Sequence, residues 1–151
     1  MSVAKQAKQV QIVAQVVAHQ AQNTEPEKAA GKDKKDKIAV IRLRGNVTIK
    51  TEFEHTMQML GLYKRNFCVV IPKNAAYLGM VEKVKDHVTW GEIDAAMLKE
   101  LQDKRGQGKR FFRLNSPQGG LGRRGIKAPF SKAGSLGYRG NKINDLIRRM
   151  L

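Results

Sequence analysis

The chain has 151 residues, with 29 Lys and Arg against 13 Asp and Glu, for a formal net charge of +16. That length holds one domain, or one small domain with tails, and a hydrophobic share of 41% supplies a core and excludes a wholly disordered chain. One cysteine excludes an internal disulfide and fits a reducing, cytosol-like compartment, no apolar run is long enough for a transmembrane helix, and the excess of cations points to a polyanion: RNA, DNA or an anionic membrane surface.

Residues 1–37 hold seven Lys and four acids. Between Ser2 and Gln22, Val3, Ala7, Val10, Val17 and Ala21 fall near helical spacing. This stretch is either a weakly amphipathic helix that docks on a partner or a frayed tail. Gln11, Gln15, His19 and Gln20 interrupt any signal-peptide core, and a mitochondrial presequence would carry arginine before Arg42. Asn23 to Lys37 lacks large apolar residues and reads as a charged linker.

Residues 38–103 hold nine basic and eight acidic residues and read as the folded core. Ile38 to Arg44 predicts a strand, with Ala39, Ile41 and Leu43 facing inward and Arg42 and Arg44 outward. Thr51 and Glu54 resemble a capping box for a helix carrying Phe53, Met57 and Leu60, which Gly61 stops. Phe67 to Ile71 predicts a central strand ended by Pro72. Asn74 is placed to cap a second helix with Val81 and Val84 on its buried face. His87 to Trp90 predicts a third strand closed by Gly91, and Ile93, Met97 and Leu101 mark a third helix. Strand and helix alternate three times, which predicts an α+β or α/β domain with helices on one face of a small sheet.

Residues 104–151 hold thirteen basic residues and one acid, Asp145. Lys104, Arg105, Lys109, Arg110 and Arg113 surround Phe111 and Phe112. The turn-rich stretch from Asn115 to Gly125 follows, with Arg123 and Arg124, and then Lys127, Lys132 and Arg139. Glycines let the main chain approach a phosphate closely, and arginines pair with phosphate oxygens bidentately. Asn141 is placed to cap a last helix that buries Ile143, Leu146, Ile147 and Met150 and leaves Lys142, Arg148 and Arg149 free. A basic strip anchored at both ends is a binding loop. A solvated face would mix signs, and membrane binding would want the cations along one helix face.

Catalytic signals are weak. Gly120 to Gly125 formally matches G-x-G-x-x-G without the flanking strand and helix, and no P-loop occurs. Cys68 lies in an apolar strand, where an inert thiol is the simpler account. His19, His55 and His87 are scattered, so no zinc site is supported. Glu92 and Asp94 read as first-turn acids and Trp90 as core. Nothing assembles an active site, so the chain reads as a binding protein without catalytic residue, cofactor, metal or small-molecule substrate.

Ile41 to Gly45, Thr56 to Leu62, Met80 to Gly91, Phe112 to Gly120 and Gly137 to Met150 together resemble the large-ribosomal-subunit protein family numbered thirty in bacteria and seven in the eukaryotic cytosol. The last two motifs resemble the C-terminal extension of its archaeal and eukaryotic members, which implies an archaeal-type protein. The resemblance implies a ferredoxin-like α+β core over 38–103, a basic rRNA-binding extension over 104–151 ending in a helix, no cofactor, and a place in cytoplasmic ribosomes. It implies as partners the long rRNA of the large subunit, with the 5S rRNA close by, and neighbouring large-subunit proteins. Residues 1–37 have no counterpart in it, and the stretch from Arg105 to Phe111 is shorter than the insert usual there. The expected RNA-binding residues are Arg42, Arg44, Lys109, Arg110, Arg113, Arg123, Arg124, Lys127, Lys132, Arg139, Arg148 and Arg149. The rival assignment is a DNA-binding, chromatin-like basic protein.

Overall fold

A continuous apolar run makes a strand that is buried on both sides, and the first strand is of this kind. The structure, a computed structural model, describes residues 37–151; the helix-or-tail and linker expectations for the segment before them lie outside the described residues. In chain order the main elements are β1 (Lys37–Arg42), α1 (Thr51–Met59), β2 (Phe67–Pro72), α2 (Ala75–Lys83), β3 (Val88–Glu92), α3 (Ala95–Arg105), β4 (Phe112–Arg113), β5 (Gly137–Tyr138) and α4 (Ile143–Met150). The sheet order is β4-β2-β1-β3-β5. β1 lies between β2 and β3, antiparallel to both, with Val40 opposite Val69 on one side and Trp90 on the other. β4 adds antiparallel to β2, and β5 adds parallel to β3. This is the α+β, ferredoxin-like sheet expected.

Alternate residues of β1 enter two separate cores. Ile38 and Val40 join Phe67, Val69, Val88 and the apolar faces of α1 and α2, including Met57, Val81 and Val84. Ala39, Ile41 and Leu43 join Cys68, Met97 and Leu101 of α3, and Ile143, Leu146, Ile147 and Met150 of α4. Helices on one face therefore describes α1 and α2, while α3 and α4 cover the opposite face. The four α4 residues are fully buried, and burying each contributes roughly 1.5–3 kcal/mol. The basic C-terminal segment thus carries part of the core.

Several element ends differ from expectation. Lys50, not Thr51, occupies the N-cap of α1, and no side chain caps it. The Lys50 carbonyl instead accepts from the Phe53 and Glu54 amides. Asn74 does hold the N-cap position of α2, without a side-chain hydrogen bond. Asn141 falls inside a 3-10 turn, Gly140–Lys142, ahead of α4. Gly61, at φ +82°, follows α1 as expected. Gly91 does not close β3 but lies within it. A Cβ at Gly91 would collide with the carbonyl oxygen of Gly140, so the glycine is there for close approach of two backbones.

Cys68 is fully buried, and burial pushes its thiol up to about 12. The thiolate is the reactive form. Cys68 is therefore expected to resist iodoacetamide at pH 8 in the native protein and to react once urea unfolds it. Mass spectrometry of the two samples checks this; native-state alkylation at a free-thiol rate would contradict the packing of β2.

Candidate nucleic-acid interface

The basic segment leaves α3 through Gly106 (φ +97°) and Gly108 (φ +75°) and joins the sheet as β4. The Leu114 amide then donates to Asn66 O, and the Asn115 and Gln118 amides donate to Met150 O and Arg149 O. The chain turns at Pro117–Gly120 and passes a 3-10 turn, Gly125–Lys127. It doubles back where Pro129 bridges Leu136 and the Ser135 amide donates to Ala128 O. A Cβ at Gly134 would collide with the Ala128 backbone there. The segment then re-enters the sheet as β5. Both ends of the glycine-rich stretch are therefore held, and its exposed side chains project from a fixed base.

The twelve candidate cations divide by what they touch. Arg42 does not face outward: it is 1% exposed. Its Nε donates to Arg44 O, Nη1 to Leu62 O and Tyr63 O, and Nη2 to Gly45 O and Asn46 Oδ1, at 2.6 to 3.2 Å. Burial lowers its pKa, with Glu54 acting in the opposite direction. Arg42 is a bracket for the 43–46 and 62–63 backbones. Arg139 is 9% exposed. It donates to Ser135 O and Thr89 Oγ1, and its guanidinium lies 4.6 Å over the Phe130 ring. Arg42 thus departs from the outward placement expected of it, with all five donors on the protein's own oxygens, and Arg139 is buried with two of its donors so engaged.

Four more cations are partly committed, one of them Lys109, whose Nζ donates to Arg105 O. Arg44 donates to Ile126 O, Arg110 to Met59 O, and Arg149 Nη1 to Gln118 O and Gly120 O, the last pinning the glycine turn. Arg149 Nε also lies 3.5 Å from Asp145, the single carboxylate of the segment. Lys109, Arg113, Arg123, Arg124, Lys127, Lys132 and Arg148 are exposed. Arg123, Arg124, Lys127 and Lys132 lie along the doubled-back stretch with no ion-pair partner among the described residues. This is the acid-free patch that the charge distribution predicts.

A cation that sequence reasoning passed over is Lys85. With Arg44 and Lys127 it rims a cleft of about 450 Å³ floored by Trp90 and Tyr138. Those rings sit 6.4 Å apart. The Tyr138 hydroxyl donates to the Glu92 carboxylate at 2.8 Å, and Lys73 pairs with the same group at 3.2 Å. Glu92 does not line the cleft, whose one acidic lining residue is Asp86. Trp90 is thus half-buried rather than fully core; its place after two strand residues in a basic chain is the signal that could have marked it. Among the described residues no three His, Cys, Asp or Glu side chains converge as metal ligands would, and no helix is long and apolar enough to cross a membrane.

Together these features define a ferredoxin-like α+β domain with a basic, acid-poor segment folded back into its own sheet. Residues 38–88 match the family profile described as Ribosomal protein L30p/L7e. The chain is 35% identical over 151 positions to the large ribosomal subunit protein uL30 of Nanoarchaeum equitans, covering 75% of this chain and 97% of that one. It is 37% identical to the protein of that name from Methanopyrus kandleri, covering 72% and 100%. Against the Methanococcus vannielii protein it is 40% identical, covering 75% and 98%. The chain belongs to the L30p/L7e family and has archaeal relatives. Three quarters of the chain fills an alignment of 151 positions, so this chain lacks positions that these relatives have.

Proposed function

We propose that this protein is a structural constituent of the large ribosomal subunit that holds folded rRNA through phosphate contacts. The observation that carries this is the exposed set Arg123, Arg124, Lys127 and Lys132 on a stretch anchored at both ends, in a segment with one acid. The relatives' names supply the assembly, since each is a large-subunit protein. The interface cations are Lys109, Arg110, Arg113, Arg123, Arg124, Lys127, Lys132 and Arg148, with Arg44 and Arg149 contributing the donors they keep free. The long rRNA is the main partner and the ribosome of the cytoplasm the location. The 5S rRNA and neighbouring large-subunit proteins as nearby partners rest on family membership alone. Recognition is by RNA shape, because an A-form major groove is too narrow for side chains to read.

Neutralising roughly 6–10 phosphates predicts an affinity that falls about 10³–10⁵-fold between 50 and 200 mM salt. A flat plot of log K against log salt with rRNA fragments would remove the electrostatic mechanism. Duplex DNA that competes as well as folded rRNA would favour a chromatin-like protein instead. Replacing Arg123 and Arg124 together by Ala is expected to reduce the salt slope by about 2 and to change stability by less than roughly 0.5 kcal/mol. Filter binding across a salt series and a thermal melt measure the two effects. A large drop in Tm would show that these arginines hold the loop.

A further inference from the structure

A second cationic cleft lies where α3 runs out. Lys104 and Arg105 are its last two residues, Lys109 follows the Gly106–Gly108 turn, and Arg113 lies on β4. With Phe111 they line a cavity of about 480 Å³, and among the described residues no carboxylate lines it. Most of its cations are already loosely tethered. Lys104 pairs with Glu100 at 2.9 Å on the exposed side of α3, Lys109 Nζ donates to Arg105 O at 3.0 Å, and Arg105 Nη2 donates to Leu151 O at 2.9 Å. The exposed Lys104–Glu100 pair is weak, whereas the Arg105 bond to Leu151 O is part-buried. Arg105 Nε, by contrast, is buried with no hydrogen-bond partner. A buried guanidinium N–H left unmatched is uncommon in a folded protein, but this one is enclosed, so only the outer nitrogens of Arg105 can serve the cleft.

The aromatic in the cleft is rigidly placed. Phe111 stacks on Phe67 with ring centroids 5.0 Å apart and planes 8° from parallel, and Tyr63 meets it edge-on at 6.0 Å. Arg113 lies over the Phe67 ring at 5.7 Å. A fixed ring beside four cations has the composition of a nucleotide site: stacking serves any base, and the cations serve its phosphate. A cavity of this size is in the range that takes one small ligand and is too small for a duplex. Unpaired nucleotides are also the part of an RNA that side chains can reach.

We infer that this cleft takes a single unpaired nucleotide of the bound RNA, with its phosphate among Lys104, Arg105, Lys109 and Arg113 and its base against Phe111. The inference rests on the RNA-binding function proposed above and adds a site for one base to it. The test uses the full chain with a single-stranded RNA hexamer and a fully paired RNA duplex, by fluorescence anisotropy, together with ultraviolet crosslinking of the hexamer and peptide mapping. The expected result is a crosslink within 109–113 and a hexamer affinity that falls roughly 5- to 100-fold in Phe111→Leu. The duplex affinity of Phe111→Leu should stay within about twofold. The double variant Lys109→Gln/Arg113→Gln should weaken hexamer binding more than duplex binding, and that difference decides the matter should Phe111→Leu fail to fold. Unchanged hexamer affinity in the double variant, or crosslinks confined to 123–132, overturns the nucleotide site while leaving RNA binding intact. Failure of the wild-type chain to bind either RNA overturns the proposed function itself.

Discussion

Replacing Arg42 by Met is expected to destabilise the domain by roughly 3–5 kcal/mol, or about 10–20 °C in Tm for a domain of this size. The side chain is buried at the end of β1, and its five donor contacts satisfy four backbone carbonyls and the Asn46 side chain. Methionine fills much of the volume and supplies no donor. Those carbonyls lie on the turn after β1 and within the α1–β2 connection, so both segments should loosen together. Because no donor is spare for a phosphate, the salt slope of RNA binding should not change. Urea denaturation and a salt titration on the same variant separate the two roles. A slope reduced by about 1 at unchanged stability is what a phosphate ligand would give, and it would return Arg42 to the interface.

The second large effect is expected at Gly91. Alanine there drives its methyl into the Gly140 carbonyl, and both partners are backbone, so neither can rotate away. Three contacts depend on this approach. The Arg139 amide donates to Trp90 O, Asn144 Nδ2 donates to Glu92 O, and the Asp94 amide donates to Asn144 Oδ1. They seat the start of α4 on the end of β3. Gly91→Ala should therefore cost about 3 kcal/mol, at the upper end for one added methyl in a packed site. It should also make the chain near 140 an early site of limited proteolysis. A variant with wild-type denaturation and an intact C terminus would show that the sheet can shift to accommodate the methyl.

Most of the elements were legible because their apolar spacing is regular. Met57, Val81, Met97 and the four buried residues of α4 all face the cores that their periodicity predicted. The error at Arg42 has a physical origin. Taking Ala39, Ile41 and Leu43 as the inward set made its alternate, Arg42, an outward residue. Yet Ile38 and Val40 belong to that alternate set, and both are apolar. A strand apolar on both sides is covered on both sides, which places Arg42 under a layer of protein. The same clue implies helices on two faces. The burial of Arg139 was not legible for a different reason, since nothing local shows that Phe130 and Thr89 would meet it from 9 and 50 residues away. The cap at Asn141 failed because a 3-10 turn precedes α4, and side-chain pattern does not distinguish the two helix types. The free cations from Arg123 to Lys132 were legible because exposure follows from charge in a stretch with almost no large apolar residues.

β1 is the first strand of the sheet to be synthesised, and one of its two apolar faces is sealed by α4. Until residue 150 has emerged from the exit tunnel, Ala39, Ile41 and Leu43 have α3 over them but not α4. The nascent chain thus carries a wet, sticky surface next to a growing run of cations, in a cell crowded with polyanions. Arrival of α4, rather than any local event, closes that face, and a stalled product ending before Ile143 should aggregate or call on a holdase chaperone.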